Sequence, residues 1–348
     1  MKAKTLTIIL MLAAAAACAP ESQLDILSDA SSRGVFLYAH QDDLSYGKLW
    51  KVEDPAGDPL LRSDVKDVCG KYPAIVGFDL GGIELGNEAN LDGVSFTLIR
   101  RAAQAQVERG GLVTFSWHPR NPLTGGDAWD ISSDKVVESI LEGGEKHGEF
   151  VQWLDRGAEF IGSLGVPVLF RPWHENVASW FWWGGRLCTP EQYKALWKLT
   201  YERFAGIKNI VWVYSPNGDC SEEEYLERYP GDDIVDIVGF DTYQFGPVPQ
   251  SGERFIAEMQ NALGIVSRIA ADHGKLYCVS ETGFESIPDP QWWTGTLLKA
   301  VEGYSPCYLL TWRNAWDRET HYYGPWAGSP DAEDFAAFAA SGKVKMLD

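Results

Sequence analysis

PVLFRPWHE, residues 167–175, decides how this chain folds. The stretch before it, GEFVQWLDRGAEFIGSLG (148–165), has helical periodicity and closes on Gly165, a usual helix stop. The run itself is short and apolar with a β-branched start, as a buried parallel strand is. It ends abruptly in Arg171, His174 and Glu175. A core rejects an unpaired Arg or Glu, and a solvated loop has no use for the rings of SWFWWG (179–184) that follow. An apolar strand that hands over to charged groups and flat rings points to a site at its C-terminal end.

Seven more runs repeat the pattern: VFLYAHQDD (35–43), AIVGFDLG (74–81), LVTFSWHP (112–119), NIVWVYSPN (209–217), IVDIVGFDTY (234–243), LYCVSETG (276–283) and CYLLTWRNA (307–315). Helical patterns lie between most of them. SFTLIRRAAQAQVERG (95–110) closes on glycine, and ERFIAEMQNALGIVSRIAADHG (253–274) does the same. TPEQYKALWKLTYERF (189–204) opens on a Thr N-cap before Pro-Glu. Strand–helix alternation eight times over, without a Ser/Gly linker, predicts an α/β protein built as a single (β/α)8 TIM barrel over residues 33–348. The runner-up, a doubly wound open sheet, needs a phosphate-binding glycine loop after the first strand, and HQDDLSYG is not one.

In such a barrel the active site lies at the C-terminal ends of the strands. Every run ends there in a polar or aromatic group: His40 and Asp42, Asp79, His118, Glu175, Asn217, Asp241, Glu281 and Trp312. One such residue can be a cap; eight describe a site. Glu175 and Glu281 end the fourth and seventh runs, and two carboxylates across a barrel mouth suit glycosidic cleavage. Either alone reads more readily as a salt bridge or a cap. Together, flanked by Arg171, His174, Tyr243 and Trp312, they read as chemistry.

Composition agrees. A formal charge of −19 repels nucleic acid and anionic membrane and suits a neutral ligand such as a polysaccharide. Fifteen Trp, fourteen Tyr and fifteen Phe are a heavy aromatic load; most are expected in the core, yet sugar clefts also use exposed rings. The N-terminus, MKAKTLTIILMLAAAAACAPES, places two lysines before an apolar run too short to span a bilayer comfortably. Residues 1–17 are expected to be a lipoprotein signal peptide, with AAAAC as a lipobox and Cys18 as the lipidated residue. Residues 18–32 are then a tether. The expected location is the periplasm or the cell surface, with the membrane touched only through Cys18 and the barrel a monomer. Export permits disulfides. Cys188 and Cys220 follow strand ends and could pair, while Cys278 and Cys307 read as buried small hydrophobes. No CxxC spacing suggests zinc.

Several longer motifs add a resemblance. RPWHEN and SWFWWG, VSETG around Glu281, HQDDLSYG, SWHPRNP, VGFDTY and the tail HYYGPWAGSPDAEDF (321–335) resemble the bacterial β-mannanases of glycoside hydrolase family 26, in order, from about residue 34 to about 340. The resemblance implies a retaining double-displacement mechanism with no metal and no cofactor. It makes Glu175 the acid/base and Glu281 the nucleophile. It places His174 and His118 beside the sugar that is cleaved, with His174 able to address its 2-hydroxyl. Arg171 matches an Arg near the carboxylates, Tyr243 a Tyr that hydrogen-bonds the nucleophile, and Asp241 its companion. Trp180 and Trp312 match ring platforms, whereas Trp182 and Trp183 read as structural. Val177-Ala178 departs from the pattern after HEN and bears on leaving-side contacts. The stretch 124–148 is expected to wall one end of the cleft.

The resemblance therefore implies cleavage of β-1,4-mannosidic bonds in mannan, glucomannan or galactomannan. Within the same family, β-1,3-xylan and mixed-linkage β-glucan are the competing substrates. From another class, a lipoprotein that only captures glycans would keep the rings without needing both glutamates. The His-Glu pair is not a zinc-protease motif, because position 178 is Ala rather than His. A metal-dependent hydrolase built on the strand-end His and Asp residues is the remaining competitor.

Overall fold

The computed structural model describes residues 22–348. The eight apolar runs form eight strands: β1 (Phe36–Gln41), β2 (Ile75–Asp79), β3 (Leu112–Ser116), β4 (Val168–Arg171), β5 (Ile210–Tyr214), β6 (Ile237–Gln244), β7 (Leu276–Phe284) and β8 (Tyr308–Thr311). Each pairs in parallel with the next, and β8 returns to pair with β1. The sheet is thus a closed barrel, and the open-sheet alternative falls. Helices Phe96–Glu108, His147–Ser163, Pro190–Phe204 and Gln250–His273 cover the segments with helical periodicity. Thr189 caps its helix by accepting from Gln192 N at 3.2 Å, while the Gln192 side-chain oxygen accepts from Thr189 N at 2.9 Å.

Strand parity sorts side chains between two cores. Leu37, Ala39, Ile75, Leu112, Leu169, Val211, Val213, Ile237, Cys278, Tyr308 and Leu310 pack together in the barrel interior. Their immediate neighbours, among them Tyr38, Val76, Phe78, Val113, Phe115, Phe170, Trp212 and Phe240, belong to the larger core outside the strands, beneath the helices. Continuing the inward parity toward the C-terminal ends gives Asp79, Ser116, His118, Arg171, Ser215 and Asp241. The interior is therefore oily at its base and polar at its mouth.

β7 departs from this alternation. Cys278 and Val279 pair with Gly239 and Phe240, but the next partner of Asp241 is Glu281, so Ser280 is an extra residue. Such a bulge re-aims the side chains beyond it. Without it Glu281 would point at the helices; with it Glu281 stands in register beside Asp241 at the mouth.

Part of the expected tether is folded. Residues 23–32 form a helix, capped by Ser22 accepting from Asp25 N at 3.2 Å. Leu27 and Ala30 bury themselves in the interior cluster, so the helix closes the base of the barrel. The domain starts before residue 33. The signal peptide and Cys18 lie outside the described residues. None of the described helices is long and apolar enough to cross a membrane. Cys188 and Cys220 are both free and buried, so the disulfide considered for them is absent; Cys278 and Cys307 are buried thiols as expected.

Candidate active site

The barrel mouth opens into a cavity of about 730 Å3. Glu175, Glu281, His118, His174, Trp180, Asp241, Tyr243 and Trp312 all line it. Arg171 does not reach the surface. It lies beneath the cavity floor and bonds upward.

Glu281 is held on both oxygens. Arg171 Nη2 donates to Oε1, and the Tyr243 hydroxyl donates to Oε2 at 2.6 Å. Arg171 Nη1 also donates to Asp241 Oδ2 at 2.9 Å and to Ser215 Oγ at 3.3 Å. Burial would lower the pKa of this guanidinium, but the Asp241 and Glu281 charges outweigh burial and raise it. Burial, reinforced by the Glu281 charge, pushes the Tyr243 phenol well up, so it remains a donor. Two fixed donors on a buried carboxylate aim its lone pairs and cancel its charge.

Glu175 is held differently. Its backbone is left-handed (φ 53°), as is that of Trp173 (φ 55°), so the chain turns sharply on either side of His174. Its N–H donates to Ser215 O at 2.8 Å. Among the described residues, the only bond to its carboxyl is from Trp180 Nε1, at 2.6 Å to Oε2. Burial first, and the Glu281 charge second, push this carboxyl up to about 7, against the Trp180 bond and the His118 and Arg171 charges. One carboxyl is clamped by a cation; the other, at about 7, keeps its proton in about half of the molecules at neutral pH.

A third group of bonds joins β2, β3 and the loop after β4. Asp79 accepts from Gly81 N (2.7 Å), Ser116 Oγ (2.7 Å) and His118 N (3.3 Å), and its Oδ2 lies 2.7 Å from His118 Nδ1. Burial raises its pKa, but the His118 charge and these bonds outweigh it and hold the carboxyl below its usual value. His118 Nε2 faces His174 Nε2 at 3.1 Å.

The rings divide into two sets. Trp173, Trp182 and Trp183 are fully buried, and their indole N–H groups donate to Thr200 Oγ1, Pro119 O and His174 O. These rings brace the loop that carries His174 and Glu175, as expected for Trp182 and Trp183. The loop closes on itself at Gly184-Gly185: a Cβ on either would meet a backbone carbonyl oxygen, of Ala178 or Val177, at 2.2 Å. Ala178 N donates to Asn217 Oδ1 at 2.8 Å, so the Val177-Ala178 departure is tied to the end of β5. Trp180, in contrast, is 45% exposed and offers a free face at the cavity. Trp312 lines the same cavity, 6.3 Å from the His118 ring.

Some residues escaped the sequence reading. Trp129, from the stretch 124–148, lines the cavity and stacks on His118 at 5.3 Å and 15°, so that stretch does wall the cleft. Phe245 and Tyr323 line it too, Tyr323 packing on Tyr243 at 5.6 Å. Tyr323 was signalled by its place in HYYG; Trp129 and Phe245 sit in loops with no periodicity to mark them. His40 and Asp42 do not line the cavity: with Leu37 and Ala39 facing inward they fall on the outward parity of β1 and are buried, His40 beside Asp43 at 2.8 Å and Asp42 accepting from Tyr46 at 2.8 Å.

His174, Asp241 and Glu281 bring three ligand-type atoms within 4.8 Å of one another, close enough to hold a cation. That charge is already supplied. Arg171 donates to both carboxylates, and a dication placed among them would face the guanidinium at close range.

The chain matches the model of glycosyl hydrolase family 26 over residues 58–319. A mannan endo-1,4-beta-mannosidase of Bifidobacterium adolescentis is 30% identical over 92% of this chain and 35% of its own length. One of Thermothelomyces thermophilus is 28% identical over 82% of this chain and 59% of its own. This chain thus spans less than two thirds of these curated relatives. The structure of a GH26 beta-mannanase from Bacteroides ovatus superposes with a TM-score of 0.87 at 45% identity, covering 92% of this chain and 94% of that one. A Bacillus sp. endo-beta-1,4-mannanase catalytic domain gives 0.82 at 30% identity, covering 93% and 90%. With its barrel, its paired strand-end glutamates and these matches, the chain belongs to glycosyl hydrolase family 26.

Proposed function

We propose that this chain hydrolyses β-1,4-mannosidic bonds in mannan, glucomannan or galactomannan with retention of configuration. The observation that carries the reading is the unequal treatment of two carboxyls in one cavity. Glu175, raised to about 7, can give a proton to the leaving oxygen. Glu281, aimed by Arg171 and Tyr243, attacks the anomeric carbon and forms a glycosyl-enzyme. Glu175, now ionised, takes a proton from water, which releases the sugar from Glu281 with its original configuration. His174 and His118 border the sugar undergoing cleavage. Trp180 and Trp312 present faces to pyranose rings, and the Trp180 N–H holds the acid in place. The names of the relatives support mannan over β-1,3-xylan or mixed-linkage glucan.

The test is proton NMR of the first products from linear mannan. β-Anomers appearing before mutarotation fit the proposal, and α-anomers first would overturn it. The same time course separates an oligomer ladder, from an endo enzyme, from mannobiose released alone. Binding without any product would favour a glycan-capturing protein. The chain is further proposed to be a lipoprotein anchored at Cys18, supported by its AAAAC motif. A Cys18→Ala protein that stays in the membrane fraction would refute that.

A further inference from the structure

Two imidazoles meet at the cavity wall with their Nε2 atoms 3.1 Å apart. Only one hydrogen fits between two ring nitrogens at that distance, and its owner depends on what holds the other nitrogens. On His118 that question is closed. Its Nδ1 lies 2.7 Å from Asp79 Oδ2, and Asp79 already accepts from the Ser116 hydroxyl and the Gly81 N–H. An oxygen so placed is an acceptor, so His118 Nδ1 carries a hydrogen whatever the charge of the ring. Nε2 of His118 is then bare when the ring is neutral and protonated when it is imidazolium. His174 must complement it, donating from Nε2 in the first case and accepting there in the second. Its own Nδ1 is buried and has no hydrogen-bond partner.

We propose that Asp79 is a positioning residue: by fixing the hydrogen of His118 on Nδ1, it makes one proton taken up by the histidine pair turn His174 Nδ1 from an acceptor into a donor. The hydrogens balance. Before uptake, His118 carries one on Nδ1 and His174 one on Nε2. The incoming proton settles on His174 Nδ1, the hydrogen between the rings transfers to His118 Nε2, and the positive charge ends on His118 beside the Asp79 carboxylate. His174 stays neutral in both states and only its tautomer changes. This relay rests on the reading that His174 borders the bound sugar, and it adds a residue, Asp79, that would never touch that sugar.

The surrounding charges favour this division. Burial lowers the pKa of His118, but Asp79 from β2, with Glu281 from β7, outweighs burial and the opposing Arg171 on β4, and the net direction is upward. Burial first, then Arg171 and His118, hold His174 well below its ordinary value. Glu175, next in the chain, and Asp241, which has a carboxylate oxygen within 4.8 Å of a His174 ring nitrogen, are the other ionisable neighbours; the His118 charge only partly opposes the burial that raises Glu175.

The test is a long-range proton–nitrogen correlation spectrum of the free protein with 15N-labelled histidines, from pH 5 to 9. His118 Nδ1 is expected to keep its hydrogen throughout. His174 Nδ1 is expected to change from hydrogen-bearing to bare with the same midpoint at which His118 Nε2 loses its hydrogen. In Asp79→Asn that shared midpoint should fall by about one to three pH units, the usual effect of an opposite charge at this range. Ser116→Ala, which removes one donor to Asp79 and leaves the carboxylate, should move it by less and serves if Asp79→Asn does not fold. A His174 that never changes tautomer, two different midpoints, or a midpoint indifferent to both substitutions would overturn the relay. The measurement needs no substrate, so a chain inactive on mannan would refute the proposed function and leave the relay standing.

Discussion

Glu175→Gln should make the protein more stable, and only at high pH. The carboxyl has a pKa of about 7 when folded against 4.5 when free. A pKa raised by folding means that the folded state binds the proton more tightly. Its contribution to stability is complete below pH 4.5 and is lost as the pH rises through about 7. A difference of about 2.5 pH units corresponds to about 3 kcal/mol at most. Glu175 is only half-buried, and water screens part of that, so about 2 kcal/mol is a fair expectation. Gln keeps the shape and can still accept from Trp180 Nε1, but it never ionises. Urea titrations of both proteins at pH 4.5, 6, 7 and 8.5 should therefore show curves that nearly coincide at the acid end. They should diverge to about 2 kcal/mol in favour of the variant at pH 8.5, with the m-value unchanged. A gap independent of pH, or one that favours the wild type in alkali, would refute the account of why this carboxyl is protonated.

The same carboxyl predicts that kcat/KM falls above pH about 7, as the acid loses its proton; a basic limb above pH 9 would count against Glu175. Glu175→Ala should keep the glycosylation step on mannosides with good leaving groups while losing mannan, whereas Glu281→Ala should lose both, and kinetics on the two substrates decide. Tyr243→Phe removes one of two donors on Glu281, and one hydrogen bond to a charged group is worth about 1.5–3 kcal/mol. A kcat reduced about tenfold or more with KM little changed is expected, and a change confined to KM would reassign Tyr243 to substrate binding. Gly185→Ala places a Cβ 2.2 Å from Val177 O and should lower both thermal stability and activity by unseating the loop that carries Glu175; unchanged melting would mean that the loop is more pliant than its packing suggests.

Most of the barrel was legible because each strand is buried on both faces and so reads as an unbroken apolar run between helices capped by Gly or Thr. The positions of Glu175, Asp241 and Trp312 followed from the polar ends of those runs. Glu281 was found by its type and motif, although alternation within LYCVSETG counts Cys278, Ser280 and Thr282 inward and leaves it facing out. The bulge that corrects this belongs to the pairing of β7 with β6, and no local pattern encodes it. Trp129 and Phe245 went unread for a related reason: loops at a barrel mouth are placed by what they pack on. The helix over 23–32 reads as tether because it is short and follows Pro, Glu and Ser, although Leu24, Ile26, Leu27 and Ala30 all pack on the interior cluster. The Ser22 and Asp25 spacing of a capping box was the available sign.

The base of the barrel has its own use. The helix that closes it brings the chain in on that side, and Val344–Leu347 near the C-terminus pairs there with the start of β1, at Phe36. Both ends of the described chain therefore gather on one face, and the cleft opens on the opposite one. A bead, a surface or a second protein joined at either end of the described residues would meet the barrel from behind. A long polymer could then lie across the front without steric conflict.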